Sequence, residues 1–163
     1  MIDAVLFYAF AALALGSALV VVGQRNPLYS AFALIVTLIS LSAIFALLGS
    51  PFIAVLQLVV YAGAIMVLFL FVLMLLNVKP EGDPPAGKGV LRTAAFLLVA
   101  VLVAEVGTVL WRATARVPPV FDASPRRVAH LLFSPQYVYV FEATSILILA
   151  ALVGAVALAR KET

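Results

Sequence analysis

Two glutamates stand inside long apolar runs, Glu105 in LLVAVLVAEVGTVLW and Glu142 in YVYVFEATSILIL. An ionisable group in hydrocarbon is costly and marks a proton or ion path by default. At about 1.5 Å per helical residue, both carboxylates lie roughly 8–10 Å below the same membrane surface, close enough in depth to be neighbours across a helix pair. Two roles fit them. Each is either a proton carrier or a partner for a charge or backbone group on another subunit or at the interface. Away from the span ends, where Arg92 stands, the spans hold no Lys, Arg or His to pair with them, so a charge partner has to come from elsewhere or from a span end.

A third polar feature lies in LQLVVYAGAIMVLFLFVLMLLN, residues 56–77. Gln57 and Tyr61 are four apart and share a helix face, and below them nothing polar follows until Asn77 except the backbone at Gly63. Glycine in a helix costs about 1 kcal/mol relative to alanine, and a buried tyrosine hydroxyl needs a partner. Two readings account for Tyr61-Ala62-Gly63-Ala64. One is a close crossing of two helices. The other is a π-bulge, an extra residue in the helix that recurs at functional sites. Making or removing it would turn the lower half by about 100°.

Other chemistry is missing from the sequence. His130 is the only histidine, and haem ligation needs an axial ligand buried beside the ring, so it reads as an interfacial residue. Cysteine is absent, which removes disulfides, thiolate metal sites and iron–sulfur ligation from this chain. No nucleophile–base pair, metal cluster, phosphate loop or dinucleotide fingerprint occurs. The charged groups are too few for a continuous proton wire. The sequence therefore predicts neither a stand-alone enzyme nor a stand-alone transporter.

These residues are carried by membrane helices. Of 163 residues, 66% are hydrophobic and 10% charged, against about 45–50% and 25% in soluble domains. The net charge of +3 does not point to nucleic acid, because the basic residues are scattered between apolar runs. A bilayer core takes about 20 apolar residues as helix, and five stretches qualify: 2–22, 28–48, 52–76, 90–111 and 138–159. The fold class is all-α, an integral membrane protein in one membrane domain. The N-terminal run lacks a basic leader and carries Asp3, so it reads as a retained first span and not a signal peptide.

With the N-terminus outside and the C-terminus inside, Arg25, Lys79, Lys88, Arg92, Arg160 and Lys161 fall on the inner side. Arg112, Arg116, Arg126 and Arg127 fall on the outer side, so the bias follows the positive-inside rule. Gln24-Arg25-Asn26-Pro27 and Gly49-Ser50-Pro51 are turns too short for anything but antiparallel neighbours. The inner loop 77–89, rich in Pro and Gly, is expected to be mobile. In the outer loop 112–137, SPRRVAHLLF begins like a helix, with Ser124 as cap and Pro125 first. Val128, Leu131 and Leu132 share a face away from Arg126 and Arg127, which suggests a short helix on the outer membrane surface; an irregular loop touching lipid is the other reading.

Hydroxyls at Thr37, Ser40, Ser42, Thr144 and Ser145 read as interhelical glue. Ala12 with Gly16, and Ala151, Ala155 and Ala159, are small residues at four-residue spacing that mark packing faces against this chain or another.

VYAGAIMVLFLFVLMLLN, residues 60–77, resembles the third helix of subunit J of respiratory complex I, the proton-pumping NADH:quinone oxidoreductase. The mitochondrial counterpart is NADH dehydrogenase chain six. The similarity extends through residues 25–57 and returns at 131–156. The resemblance implies a membrane-arm subunit without redox centres, whose third helix switches between α and π forms at Tyr61-Ala62-Gly63. In the family that switch is thought to couple quinone chemistry to proton movement near subunits H, A and K. Tyr61, Gly63 and Val67 match positions of importance there, and Glu142 matches a recurring glutamate. Gln57 stands where relatives carry Glu, which argues against a direct carboxylate role. The resemblance also implies residence in a bacterial cytoplasmic membrane. NADH, FMN, iron–sulfur clusters and quinone would be held in or between other subunits. J-like helices occur as well in multisubunit cation/proton antiporters and membrane-bound hydrogenases, which is the alternative assignment.

Overall fold

The turn chemistry that divides the sequence also divides the fold. The computed structural model describes residues 2–76, 89–114 and 123–160. The inner loop, with Lys79 and Lys88, falls outside them apart from Gly89, as do Arg116 in the outer loop and Lys161. The helices are α1 (Ile2–Gly23), α2 (Pro27–Leu47), α3 (Pro51–Leu56), a π-helix (Gln57–Ile65), α4 (Met66–Leu76), α5 (Gly89–Thr114), α6 (Pro125–Leu132) and α7 (Val138–Ala159). Among the described residues, five helical runs are long and apolar enough to cross a membrane: Ile2–Gly23, Pro27–Leu47, Pro51–Leu76, Thr93–Arg112 and Val138–Ala159. The third of these is α3, the π-helix and α4 end to end.

Local chemistry sets the ends of α2. Asn26 Oδ1 accepts from Leu28 N–H at 3.0 Å, and Pro27 occupies the first helical position, where a missing N–H costs nothing. At the other end Gly49 takes φ +74°. Its amide donates to Ala46 O at 3.1 Å and that of Ser50 to Phe45 O at 3.0 Å, the pair of bonds that closes a helix through a left-handed residue. A side chain at Gly49 would be strained by that φ.

α2 is the hub, packing on α1, on α3, on the π-helix and on α4. Its contact surfaces are made of small residues and hydroxyls. Ala14, Ala31, Ala54 and Ala62 are buried, with Ser40, Ser42 and Met66. Small side chains let helix axes approach until dispersion contacts form, the main cohesive force where lipid removes the hydrophobic one. Hydroxyls then bridge the helices. Ser17 and Thr37 are 2.7 Å apart across α1 and α2, and Ser30 Oγ donates to Val21 O at 2.7 Å beside the turn. Such interhelical bonds contribute about 0.6 kcal/mol each in membrane proteins.

Of the expected glue residues, Thr37 and Ser42 do bridge helices, whereas Ser40 and Thr144 bond back to Val36 O and Phe141 O in their own helices. The face of α1 that meets α2 runs through Ala14 and Ser17; Ala12 and Gly16 are exposed.

α5 and α7 differ. The membrane-crossing stretch of each has no buried residue, and neither packs extensively on another helix. α6 leads into α7 through a tight corner. Ser124 accepts the Arg127 N–H at 3.4 Å, Ser134 Oγ donates to Leu131 O at 2.7 Å, and Phe133 meets Phe141 edge-to-face at 4.9 Å.

Candidate functional site: the π segment of the third span

The third span changes hydrogen-bond register at Gln57. Gln57 N–H donates to Ile53 O, its α-helical acceptor, and also to Ala54 O. Nine residues later the backbone has slipped by one. Met66 N–H donates to Tyr61 O, five residues back, and to Gly63 O, not to Ala62 O as an uninterrupted α-helix requires. Between these points Gln57–Ile65 is π-helix. A bulge and a plain helix crossing both fit the sequence, and the structure shows both features. The segment is π, and Ala62 within it is buried in the face that packs on α2.

Gly63 stands close against the π ring. A Cβ built on Gly63 would stand 3.3 Å from the Leu58 carbonyl oxygen. Leu58 is five residues back, so its carbonyl is the π-register acceptor for the Gly63 amide. A side chain would press on the same oxygen that closes the π ring. Glycine leaves that ring undisturbed.

The remaining residues of the site separate into two surfaces. Ala62 and Met66 face α2, Gln57 and Gly63 are half-buried, and Tyr61 is 52% exposed. Tyr61, next to Ala62 in the chain, thus leaves about half of its surface open beside the face that packs on α2. Val67, in the first turn of α4, is exposed to its own side and lines an apolar cavity of ≈ 380 Å³ with Leu28, Phe32, Leu70, Phe71 and Met74. The cavity lies between the start of α2 and the lower half of the third span. Turning α4 about its axis would rearrange it.

Glu105 and Glu142 are exposed on α5 and α7, and no packed α5–α7 interface joins them. The structure brings together Gln57, Tyr61, Ala62, Gly63 and Val67 and leaves the two glutamates apart from that group. Among the described residues no set of three or more His, Cys, Asp or Glu is arranged to hold a metal ion. His130 lies exposed in α6.

Sequence reasoning missed one contact of this site. Ser42 Oγ donates to Ala54 O at 2.7 Å, from α2 onto the carbonyl that also takes the Gln57 amide. Ser42 was legible as a bridging hydroxyl, but no signal in the sequence names a backbone carbonyl as its acceptor.

Residues 17–158 match the family model of NADH-ubiquinone/plastoquinone oxidoreductase chain 6, which takes in α2, the π segment and all but the last residue of α7. The chain belongs to that family. It is 40% identical to an NAD(P)H-quinone oxidoreductase chain 6 of Leptolyngbya boryana, over 99% of this chain and 81% of the relative. It is 37% identical to an NADH-quinone oxidoreductase subunit J of Pseudomonas aeruginosa, over 96% of both chains. A subunit J of Rhodobacter capsulatus is 32% identical, over 93% of this chain and 79% of the relative. The chain 6 family is thus matched along nearly the whole length, including the fourth span.

Proposed function

We propose that this chain is a non-redox membrane-arm subunit of a proton-translocating NADH:quinone oxidoreductase, and that its third span gates coupling by passing between π and α forms. The family match supports the first statement. The single observation behind the second is the π register at Gln57–Ile65, with the Met66 amide given to Tyr61 O and Gly63 O. Losing the slip would turn α4 by about 100° relative to α3. That rotation would carry Val67 and the cavity side chains past α2 and reset the surface on which Tyr61 stands. An apolar, dry lower half and a polar upper half would then change alignment with groups of neighbouring subunits. Wetting or drying a path follows from such a change without any titratable group in the span itself.

In this reading Tyr61, Ala62, Gly63 and Val67 act in gating, while Gln57, Glu105 and Glu142 face partners or a proton path. The neighbours are the H, A and K subunits, and NADH, FMN, iron–sulfur clusters and quinone are handled by other chains. The membrane is the bacterial cytoplasmic membrane, with the N-terminus outside and the C-terminus inside. α6 lies along the outer interface, with Arg126 and Arg127 exposed toward headgroups.

Two experiments test the proposal. A native gel of mildly solubilised membranes, stained for NADH dehydrogenase activity and probed for iron–sulfur clusters, should show this chain in a large, active, cluster-containing band. A large band without NADH activity, after detergent controls, would assign it instead to an antiporter or hydrogenase. Within the active assembly, Gly63→Leu should impair pumping and coupled quinone reduction more than assembly. Normal pumping and turnover would sink the gating reading.

A further inference from the structure

The carbonyl at the head of the π segment has an external donor. Ser42 Oγ, on α2, donates to Ala54 O at 2.7 Å, and both residues are buried, at 7% and 5% exposure. The same carbonyl receives the Gln57 amide, the first of the π segment. In an α-helix its donor is the amide four residues on, that of Leu58. When the register slips to i+5, the carbonyls at the start of the slip must share or exchange donors. In hydrocarbon a backbone group left without one is expensive, and serine or threonine hydroxyls from neighbouring helices are the usual remedy. The Ser42 bond leaves α2 for the third span, whereas the buried Ser40, two residues away, bonds back to Val36 O.

We infer that Ser42 is a positioning residue for the switch, holding the Ala54 carbonyl so that α3 stays fixed on α2 while the π register forms below it. The inference rests on the gating reading and goes beyond it by naming the residue that decides which half turns. With α3 anchored, the rotation is carried by α4. Without the hydroxyl, the Ala54 carbonyl is best satisfied by the Leu58 amide in α register, and the π form loses ground. One interhelical bond of this kind is worth about a threefold change in the π-to-α ratio.

The test uses the whole oxidoreductase in its membrane. The chain has no cysteine of its own, so Phe32→Cys with Phe71→Cys gives an intrachain register probe. Both positions line the cavity between α2 and α4 in the π form, and turning α4 takes position 71 away. Disulfide yield is read as the linked peptide after digestion and mass spectrometry. Protons pumped per NADH oxidised are read separately in the chain without the cysteines.

Ser42→Ala is expected to lower the disulfide yield roughly threefold, and Ser42→Thr to restore it. If Ser42→Ala does not assemble, Ser42→Thr against Ser42→Val compares the same bulk with and without the hydroxyl. Equal disulfide yield with and without the hydroxyl overturns the inference. A fall in yield with normal pumping per NADH supports the role of Ser42 and overturns the gating reading. A fall in both supports the two together.

Discussion

The first three spans and the last two are built from similar residues yet behave differently. α1, α2 and the third span meet through alanines and serines, and hydroxyls at Ser17, Ser30, Thr37 and Ser42 cross from helix to helix. α5 and α7 carry small residues as well, with Gly107, Ala151, Ala155 and Ala159, but these positions are exposed. A stripe of small residues therefore does not say whether a helix packs on its own chain or on another. What distinguishes the two regions is the link between spans. Turns of a few residues force α1, α2 and α3 to be neighbours, whereas α5 and α7 follow longer connections and are not so constrained. The first region makes its own packing, whereas the second leaves its apolar surface open for lipid or for other chains.

That contrast is broken most severely at Gly63. Gly63→Leu pushes a branched side chain toward the Leu58 carbonyl, where even a Cβ stands at 3.3 Å. Overpacking of this kind costs roughly 1–3 kcal/mol, so coupled pumping should fall by about tenfold while the assembled complex remains detectable on a native gel. Gly63→Ala presents only the Cβ and should give a smaller loss of the same sign in pumping assays. An intact rate with either variant would separate the π form from coupling.

A bulky residue on the second region should do the reverse. Ala155→Trp changes an exposed face of α7 that the first region does not touch. Incorporation of the chain into the large complex should drop several-fold by quantitative immunoblot, an overpacking effect of about 1 kcal/mol or more at an interface with another chain. The disulfide yield between positions 32 and 71 should stay as in the parent. A changed yield would mean that α7 is coupled to the first region after all.

The smallest effects concern single polar groups. Thr37→Val removes the bond to Ser17 and should cost about 0.6 kcal/mol, seen as a modest fall in the thermal midpoint of the solubilised subunit with pumping unchanged. Glu105→Gln and Glu142→Gln keep shape and remove the charge. Both residues are exposed on helices that do not meet in a packed interface of this chain; if each only pairs with a neighbouring group, pumping per assembled complex should stay within about twofold of the parent. Loss of pumping without loss of assembly would make that glutamate a proton carrier.

Much of this molecule was legible in its residues. The lengths of the apolar runs predicted five membrane-crossing helices because a bilayer core fixes how many residues a span needs. Pro27, Gly49 and Pro51 predicted the breaks because each restricts backbone dihedrals or removes a donor whatever surrounds it. Ser124-Pro125 marked the start of α6 for the same reason. The run from Leu56 to Asn77 singled out the third span by Gln57, Tyr61 and Gly63. Tertiary structure decided the rest. Hydroxyl residues were visible, but whether Ser40 or Ser42 reaches across depends on the angle each presents to a neighbour. The α and π registers of Gln57–Ile65 use the same residues and the same number of backbone groups, so local propensity separates them little. The choice depends on where the Met66 amide finds an acceptor, on the gap between Gly63 and Leu58 O, and on the Ser42 hydroxyl brought against Ala54 O by the packing of α2. Those are contacts between atoms five, or twelve, residues apart, and only the folded chain sets their distances.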